Sequence, residues 1–600
     1  MSTDHGETIR EPPTIPMLVA LGRYRLSAYV LMSIALIFLS YLFNLIPGLV
    51  IREVFDALTG QAPAGFNPTT ALMLLMLITV VVQSIGVYGF WLEGSLIGWI
   101  ETLLRRNMLE QIFRRPGAQA LPTSSGEAIS RFRDDPRAIL QFLTYAPDVP
   151  AQAVALTISL VILGQIDLLF TLAVFVPLLV TIVAVQVANR SIRSFRQTNQ
   201  AAIGAVTGVI GEIFAAVQAI KVSGAERHIV QHVEVINEAR RKASLRDLLL
   251  FQSISSFAQN AANIAIGLLL LLAAQAFRDR GTPLTIGDLA LFVTYLTSLA
   301  GLIGFFSEIM TRYRQNAVSF QRMLDLMPDQ PAMALVAHRS IDLDGPLPML
   351  PNPPARQPLQ HLQVEGLRFC YPHSTNGITD IGFSLQRGTL TVITGRIGSG
   401  KTTLLRALLG LVQADAGVIR WNGQIVAEPA SFFVPPQSAY TPQVPRLLSE
   451  SLRNNLLQGV QASAADLQQA IELAVFERDL ALLDQGLETV IGTRGARLSG
   501  GQIQRAAAAR MFVRQPELIV CDDLSSALDV ATERELWQRV LGRGQTCLAV
   551  SHRHPVLRRA DQIIVMEQGR IEAIGRAEEL LQHSPSFRAI WSGDDAPPVA

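Results

Sequence analysis

Residues 390–405 (LTVITGRIGSGKTTLL) place a lysine and two threonines at the end of a glycine-rich loop. A short apolar run precedes the pattern G-x-x-x-x-G-K-T, and the start of an apolar helix follows it. This order predicts a strand, a loop whose backbone N–H groups surround phosphate oxygens, and a helix whose N-terminus faces the anion. Lys401 is expected to reach the β- and γ-phosphates of a nucleotide, and the Thr402 hydroxyl to coordinate Mg²⁺. The predicted nucleotide-binding residues of this loop are Gly395, Arg396, Ile397, Gly398, Ser399, Gly400, Lys401, Thr402 and Thr403.

Two adjacent carboxylates follow a second apolar run, Leu518–Cys521, in the stretch LIVCDD. Such a run fits a buried strand that places charge at its tip. By themselves, two aspartates after a strand are more often a turn or a helix cap. The phosphate loop upstream changes that interpretation, because a P-loop ATPase needs a carboxylate on a neighbouring strand to hold Mg²⁺. Asp522 is therefore predicted to be a Mg²⁺ ligand.

The composition indicates a membrane protein with more than one domain. The chain has 600 residues, of which 49% are hydrophobic and 16% charged, and its mean hydropathy is +0.31. One core rarely organises so many residues, so at least two domains are expected. The net charge of +1 gives no reason to expect nucleic-acid binding. All three cysteines lie in the C-terminal part without metal-type spacing, which is compatible with a reducing cytosol.

The first half of the chain contains six apolar runs long enough to cross a bilayer, which needs about 20 residues per helix. The predicted spans are about 25–50, 70–95, 147–166, 168–189, 250–276 and 287–309. The segments after spans two and four are rich in arginine and lysine, whereas the loops on the opposite side carry few. By the positive-inside rule, these two basic segments and both termini are cytoplasmic. Their length predicts membrane helices that continue into the cytosol and return after a turn.

The composition changes at residues 344–358, where DGPLPMLPNPPARQP has many prolines and no helical period. We interpret this stretch as part of a linker. Beyond it, β-like runs alternate with helical stretches, which predicts an α/β domain with a largely parallel sheet. The predicted divisions are a cytoplasmic tail (1–20), an all-α six-helix transmembrane domain (21–330), a linker (331–360), a P-loop ATPase domain (361–590) and a C-terminal tail (591–600).

The stretch LSGGQ (498–502) lies about twenty residues before the acidic strand tip. With the phosphate loop before it, this stretch resembles the signature of the ATP-binding-cassette (ABC) transporters. The resemblance extends to Gln443 in AYTPQ (Q-loop), Asp529 in SALD (D-loop), His552 in AVSHR (switch histidine) and Tyr371 in FCYPH (the aromatic that stacks on adenine). It implies that Tyr371 offers its ring to the base, Gln443 binds Mg²⁺ or water, and His552 contacts the γ-phosphate. Considered singly, they could instead be a core aromatic, a loop amide and a structural histidine.

The resemblance also implies a dimer. Ser499, Gly501 and Gln502 precede an alanine-rich helix and present its N-terminus to an anion. In the family, that anion is the γ-phosphate bound by the opposite subunit. One chain carries one cassette, so the implied partner is a second half-transporter, identical or different, with two ATP molecules sandwiched between the cassettes.

The membrane half resembles the exporter class of the family. The stretch SGEAISRFRDD (125–135) looks like the first coupling segment, residues 212–226 look like the region around the second, and residues 284–296 look like the start of the last span. A membrane domain that precedes the cassette on one chain is the layout of exporter half-transporters. The resemblance therefore implies ATP-driven export across the cytoplasmic membrane, with lipid around the spans and the ATPase domain in the cytosol.

Asp523 departs from the family pattern, which usually has Glu at this position to polarise the attacking water. Aspartate is shorter by one methylene, about 1.5 Å, and a general base must lie within hydrogen-bond reach of its proton. A misplacement of about 1 Å can cost on the order of 100-fold in rate. Asp523 could thus act as a working base, or it could mark the slow half of an asymmetric heterodimer.

Two other functional classes stay open. A nucleotide-gated regulator or channel is supported by Asp523 alone, and a soluble cassette ATPase that acts on nucleic acid is opposed by the six spans. The substrate also stays open. Several polar residues in or near the spans could face a cavity or bond to a neighbouring helix, namely Asn44, Gln83, Glu93, Gln165 and Gln259.

Overall fold

The computed structural model of the chain describes residues 12–60, 67–122, 125–278, 284–341, 354–372, 374–492, 498–525 and 528–593. The predicted tails and linker lie partly outside these ranges. The chain divides into two compact units. We call Met1–Leu109 with Thr123–Ile341 the helical unit, and Glu110–Pro122 with Asp342–Ala600 the cassette unit.

The helical unit is built from eleven described α-helices, one of which, α5, ends in the cassette unit. Their bounds are α1 Thr14–Tyr24, α2 Leu26–Met32, α3 Leu39–Phe43, α4 Ile46–Leu58, α5 Pro68–Arg114, α6 Ser125–Arg133, α7 Asp135–Tyr145, α8 Asp148–Ile166, α9 Leu168–Ser223, α10 Glu226–Arg278 and α11 Ile286–Leu324. A π-helical segment, Ser33–Phe38, joins α2 to α3. Two 3₁₀ turns follow α5 and α11, at Gly117–Gln119 and Ala332–Ala334.

The predicted spans lie largely in helical backbone. Within the described residues, three helices are long and apolar enough to cross a membrane, or four if a bent helix pair counts as one span. The three are Leu26–Leu58, Pro68–Arg114 and Gly126–Ile166, while Asn263–Gln275 and Ile286–Leu296 are shorter apolar helices. The tight turn predicted at Gln165–Asp167 is a single residue, because Asp167 alone separates α8 from α9 and accepts a hydrogen bond from the Phe170 N–H at 3.0 Å.

The long extensions predicted beyond the membrane are present as α9 and α10, which have 56 and 53 residues. At about 1.5 Å per residue, the path along each helix is about 80 Å, far more than the about 30 Å of a bilayer core, and α9 bends by 73° between Phe214 and Ala216. Gly224 turns the chain between them with a left-handed φ of 63°. The chain therefore returns after one turn between α9 and α10, as the sequence predicted.

The segment between α5 and α6 is divided between the two units. Residues 125–135, expected to be the first coupling segment, begin with α6 in the helical unit, and their coupling role stays a prediction. The part of this connection that belongs to the cassette unit is Glu110–Pro122, where the Ala118 N–H donates to the Leu411 carbonyl at 2.9 Å. Residues 125–135 thus follow this part of the connection closely in the sequence.

The cassette unit contains ten strands and ten helices in its described part. The strands are β1 His361–Cys370, β2 Gly377–Gln386, β3 Leu390–Gly395, β4 Ala416–Trp421, β5 Gln424–Ile425, β6 Ser438–Thr441, β7 Leu518–Asp522, β8 Thr546–Val550, β9 Gln562–Glu567 and β10 Arg570–Gly575. The helices are α12 Lys401–Leu408, α13 Pro429–Phe432, α14 Leu452–Leu457, α15 Ala464–Leu473, α16 Glu477–Ala481, α17 Gly500–Phe512, α18 Val530–Leu541, α19 His554–Leu557, α20 Ala577–His583 and α21 Pro585–Ser592.

Two sheets organise these elements. A four-stranded antiparallel sheet has the order β2-β1-β4-β5, and a six-stranded sheet has the order β10-β9-β3-β8-β7-β6. In the larger sheet all neighbouring pairs are parallel except β9 with β10. Its central strands β3, β7 and β8 are buried throughout, which explains why they read as continuous apolar runs rather than alternating ones.

The strand register brings the candidate residues to one edge of the sheet. Ile393 pairs with Val550, and Asp522 of β7 also pairs with Val550. The carboxyl ends of β3, β7 and β8 therefore finish side by side. In open α/β sheets, ligands bind beyond these ends.

Candidate nucleotide-binding site

The phosphate loop leaves β3 at Gly395 and enters α12 at Lys401. Gly395 and Gly400 have φ values of 153° and 100°. A Cβ on Gly395 would lie 2.3 Å from the Met566 carbonyl oxygen, so no side chain fits there without a shift of the backbone. The loop can thus close tightly only because glycine occupies this position. Ile397 is fully exposed at the mouth of the loop.

Lys401 folds over the loop that it is predicted to serve. Its Nζ donates hydrogen bonds to the carbonyl oxygens of Gly395 at 2.7 Å and Arg396 at 2.8 Å. Burial lowers the pKa of the ammonium group, and the fields of Asp522 and Asp523 oppose that shift. The positive charge therefore lies next to the loop and close to both carboxylates.

Thr402 and Asp522 connect the phosphate loop to the tip of β7. The Thr402 Oγ1 donates to the Asp522 Oδ2 at 2.8 Å. Burial raises the pKa of the Asp522 carboxyl, while the bond from Thr402 and the charge of Arg406 oppose this increase. Asp522 is 3% exposed. A hydroxyl and a carboxylate held this close are oxygen ligands of the kind that Mg²⁺ prefers.

Asp523 follows β7 in a left-handed backbone conformation with φ 53°. Its N–H donates to the Val550 carbonyl at 3.1 Å, which fixes the turn against β8. The side chain is 6% exposed, and its Oδ1 is buried without a hydrogen-bond partner among the described residues. Burial raises the pKa of this carboxyl, and His552, Arg553 and Gln443 oppose that shift. A buried acceptor oxygen at this position is able to receive a proton or a water hydrogen.

Tyr371 lies beside the start of α12. Its Oη is 3.3 Å from Thr403 Oγ1, and its ring meets Phe369 edge to face with centroids 4.9 Å apart. The ring is half-buried, so part of it stays available for a flat ligand. The structure thus brings the predicted adenine-stacking residue to the phosphate loop.

Gln443 and His552 come from loops that follow β6 and β8. Both residues are exposed, and both affect the pKa of the Asp523 carboxyl, Gln443 through a hydrogen bond and His552 through its charge. The parallel order of β6, β7 and β8 explains this proximity, because their carboxyl ends share one edge. All three loops therefore converge on Asp523.

The residues of the LSGGQ signature lie at the N-terminus of α17, apart from the phosphate loop. Ser499 caps α17, accepting from the Gln502 N–H at 3.3 Å, while the Ser499 N–H donates to Gln502 Oε1 at 2.8 Å. This capping box fixes the helix N-terminus. In the described part of the cassette, no hydrogen bond links these two residues to the phosphate loop. Gly501 lies in the first turn of α17.

Asp529 caps α18. It accepts hydrogen bonds from the N–H groups of Ala531 and Thr532, each at 3.0 Å, and from the Thr532 hydroxyl at 2.6 Å. These bonds lower the pKa of the carboxyl. Asp529 thus has a structural role within its own chain, and the predicted nucleotide contact stays a prediction.

Two ion pairs that the sequence analysis did not anticipate brace these loops. Arg553, next to His552, donates to Glu533 Oε2 at 2.9 Å and to the Leu528 carbonyl at 3.2 Å. Arg505 of α17 forms a bidentate pair with Asp479 at 2.7 and 2.9 Å. Each pair joins segments at least twenty residues apart, so no local spacing rule signals it.

The geometry fits a nucleotide with Mg²⁺. The Ser399 Oγ, inside the loop, is buried without a partner among the described residues, as is Asp523 Oδ1. A phosphate oxygen would satisfy the first and a water the second. Lys401 supplies the cation, the N-terminus of α12 supplies further N–H donors, and the Thr402–Asp522 pair supplies oxygen ligands.

Comparison with known proteins agrees with this combination of a helical membrane region and a P-loop domain. The ABC transporter transmembrane region family matches residues 29–303, and the ABC transporter family matches residues 378–526. The chain therefore belongs to the ABC transporter family. It carries the transmembrane region and the family's ATP-binding ATPase domain on one chain, and it is a multi-pass membrane protein.

Individual relatives cover different shares of the chain. The ABC transporter aclQ of Aspergillus oryzae is 32% identical over 51% of this chain, which matches 37% of the length of aclQ. The probable multidrug resistance ABC transporter ATP-binding/permease protein YheI of Bacillus subtilis is 26% identical over 89% of this chain and 90% of its own length. The ATP-dependent lipid A-core flippase of Alkalilimnicola ehrlichii is 27% identical over 82% of this chain and 83% of its own length.

The fold has a close match among solved structures. A bacterial Atm1-family ABC exporter with ATP bound aligns over 97% of this chain and 99% of its own, with a TM-score of 0.69 and 21% identity. At this identity the match concerns the fold. The transmembrane-plus-cassette architecture expected from the sequence is thus confirmed.

Proposed function

We propose that this chain uses ATP hydrolysis to export a substrate across the cytoplasmic membrane, as a dimer of two half-transporters. The observation that carries the proposal is the convergence of Lys401, Thr402 and Asp522 at the ends of β3 and β7. The relatives named above, a flippase and a probable multidrug resistance transporter, support export as the direction. The proposed domains are 21–330 for transport and 361–590 for ATP binding.

The residues of the cassette divide the work at the nucleotide. Loop residues 395–403 would hold the phosphates, with Lys401 on the β- and γ-phosphates, and Tyr371 would stack on adenine. Thr402, Asp522 and Gln443 would hold Mg²⁺, which neutralises developing phosphate charge when bound. Asp523 would orient the attacking water and take its proton, and His552 would donate to the γ-phosphate.

The separation of the signature from the phosphate loop within one chain supports a dimer. Ser499, Gly501 and Gln502 would complete the site of the opposite subunit, with Asp529 beside them. The N-terminus of α17 begins at exposed residues, Ser499 and Gly500, where the helix dipole would stabilise a phosphate group. The partner is a second copy of this chain or a different half-transporter, and lipid surrounds the spans.

A second candidate is a slow or regulatory nucleotide site. The observation that favours it is Asp523 itself, because its short side chain starts from a left-handed backbone whose N–H is held by the Val550 carbonyl of β8. In that case, this chain would bind ATP, turn it over slowly, and lend its signature helix to a faster partner site.

The ATPase rate of the full-length chain in lipid nanodiscs tests the proposal. We expect Mg²⁺-dependent turnover that Lys401→Ala abolishes, because the loop then lacks its only ammonium group. The matched control is Lys242→Ala, whose exposed ammonium pairs with Glu238 on α10. Equal turnover in Lys401→Ala and the unmodified chain would show that another ATPase had been measured.

A further inference from the structure

A group of hydrogen-bond acceptors lies where the first three predicted spans meet, and the functions above do not use it. We call Tyr41, Glu93, Asp148 and Gln152 the acidic cluster. Asp148 and Gln152 lie on one face of α8, because they are four residues apart. The Gln152 Nε2 donates to the Tyr41 Oη at 2.6 Å, which ties α8 to α3. Glu93, on α5, is the charged neighbour whose field reaches Asp148.

Two members of the cluster are buried, and the other two, Tyr41 and Glu93, are half-buried. Asp148 is 8% exposed and Gln152 is 3% exposed. The Gln152 Oε1 has no hydrogen-bond partner among the described residues. Asp148 lies in the first turn of α8. Buried carboxylates and carbonyl oxygens without donors are costly, and ionisable groups inside membrane helices mark functional sites.

Nearby guanidinium groups are engaged elsewhere. Arg25 lies over the Trp99 ring, 5.0 Å from its centroid. Arg312 lies over the Tyr145 ring at 5.1 Å and donates to Gln141 Oε1 at 3.2 Å. The described residues also include no group of three or more metal-binding side chains. These arginines therefore do not neutralise the cluster. A divalent metal ion does not fit it either, because too few metal-binding side chains lie together there.

The surroundings of the cluster are apolar and structurally irregular. The π-helical segment Ser33–Phe38 packs against α8. Single π turns inside α-helices occur frequently at functional sites. The side chains packed around it form one apolar cluster, with Tyr41 and Trp99 at its border. Its core members are Met32, Ile37, Leu92, Leu96 and Ala151. A ligand here meets acceptors on one side and apolar surface on the other.

We propose that the acidic cluster binds the protonated amino group of the exported substrate, so that the substrate class is amphipathic amines. An ammonium group supplies the N–H donors that the carboxylates and Gln152 Oε1 lack, and its apolar part packs near the π-helical segment. In the predicted topology, Glu93 ends the second span and Asp148 begins the third, both toward the cytoplasm. Export loads its substrate from that side, and this inference rests on the proposed function.

Equilibrium binding without ATP tests this site. Full-length chain in phosphatidylcholine nanodiscs is titrated with 1-naphthylmethylamine and with its neutral isostere 1-naphthylmethanol, with empty nanodiscs as background. Asp148→Asn keeps the size of the side chain but removes its charge, and Glu93→Gln does the same at a half-buried position. Glu53→Gln on α4 is the matched control, because it removes a carboxylate outside the cluster.

We expect the amine to bind and Asp148→Asn to weaken its binding on the order of tenfold or more, since a charged hydrogen bond is lost. Glu93→Gln weakens it less, Glu53→Gln leaves it unchanged, and the alcohol binds weakly to every variant. Equal binding of amine and alcohol would overturn the inference, as would an unchanged affinity in both Asp148→Asn and Glu93→Gln. If the chain bound the amine selectively but did not hydrolyse ATP, the proposed function would be contradicted and the binding site would not.

Discussion

Thr402 and Asp522 are joined by a hydrogen bond of 2.8 Å although 120 positions separate them in the chain. The bond links the first turn of α12 to the tip of β7. It depends on the order of the larger sheet, in which β8 lies between β3 and β7. The sheet therefore places a hydroxyl and a carboxylate together before any metal ion arrives.

The pH dependence of hydrolysis should report the surroundings of Asp523. A base works only when deprotonated, and burial raises the pKa of this carboxyl, so the rate falls on the acid side at a higher pH than an ordinary aspartate would set. Arg553 lowers that pKa and Glu533 raises it. We expect Arg553→Gln to move the acid limb of the pH–rate profile to higher pH and Glu533→Gln to lower pH. Shifts in the same direction would contradict this explanation.

The ion pair between Arg553 and Glu533 should also stabilise the cassette. Glu533 is 1% exposed, so Arg553→Met leaves a buried carboxylate without its partner, at a cost of roughly 3 kcal/mol. Removing both charges, as Arg553→Met with Glu533→Leu, should cost less than the single change. Chemical denaturation of the four proteins in the double-mutant cycle measures the difference. Additive costs would mean that the pair does not couple the two segments.

Asp522→Asn should separate stability from activity. Burial raises the pKa of Asp522, so its ionised form destabilises the folded state, and this cost is fully present above the raised pKa and absent below the ordinary one. The amide removes that cost, and we expect a higher unfolding temperature without nucleotide and Mg²⁺. Hydrolysis should fall on the order of 100-fold or more, because a Mg²⁺ ligand is lost. The unfolding temperature measured at a pH low enough to protonate Asp522 should show no such gain.

Tyr371 should contribute to nucleotide affinity through its ring. Tyr371→Ala removes the stacking surface, and we expect ATP binding to weaken about tenfold, the usual effect of losing one base–aromatic contact. Tyr371→Phe keeps the ring and loses only the 3.3 Å contact with Thr403, so it should bind ATP nearly normally. Fluorescent ATP analogues measure both. A loss of equal size in the two variants would assign the effect to the hydroxyl instead.

The sequence predicted the parts of this site that depend on local order. The phosphate loop, the acidic tip of β7 and the two-part architecture all follow from short patterns, because strand, turn and helix signals are contiguous there. Long-range pairings were not predictable, since nothing in the local sequence links Arg553 to Glu533 or Arg505 to Asp479. The assignment of Glu110–Pro122 to the cassette unit was not predictable either, because it depends on contacts with distant residues such as Leu411.

The membrane half illustrates a different limit. Apolar run length located the helices, and Asp167 marked the turn between α8 and α9. The π-helical segment at Ser33–Phe38 has no such signal, because its residues read as ordinary apolar helix. Glu93 was noticed as a polar residue near a span, but its proximity to Asp148 depends on how α5 packs against α8.

The central claim is that Asp523 is a working base. Its most direct test compares phosphate release by the full-length chain and by Asp523→Asn in lipid nanodiscs, at saturating Mg²⁺ and ATP, with ATP binding measured in parallel. We predict clear turnover in the unmodified chain and a loss on the order of 100-fold in Asp523→Asn, with ATP binding retained in both. ATP binding without turnover in the unmodified chain, or equal turnover in both proteins, would contradict it.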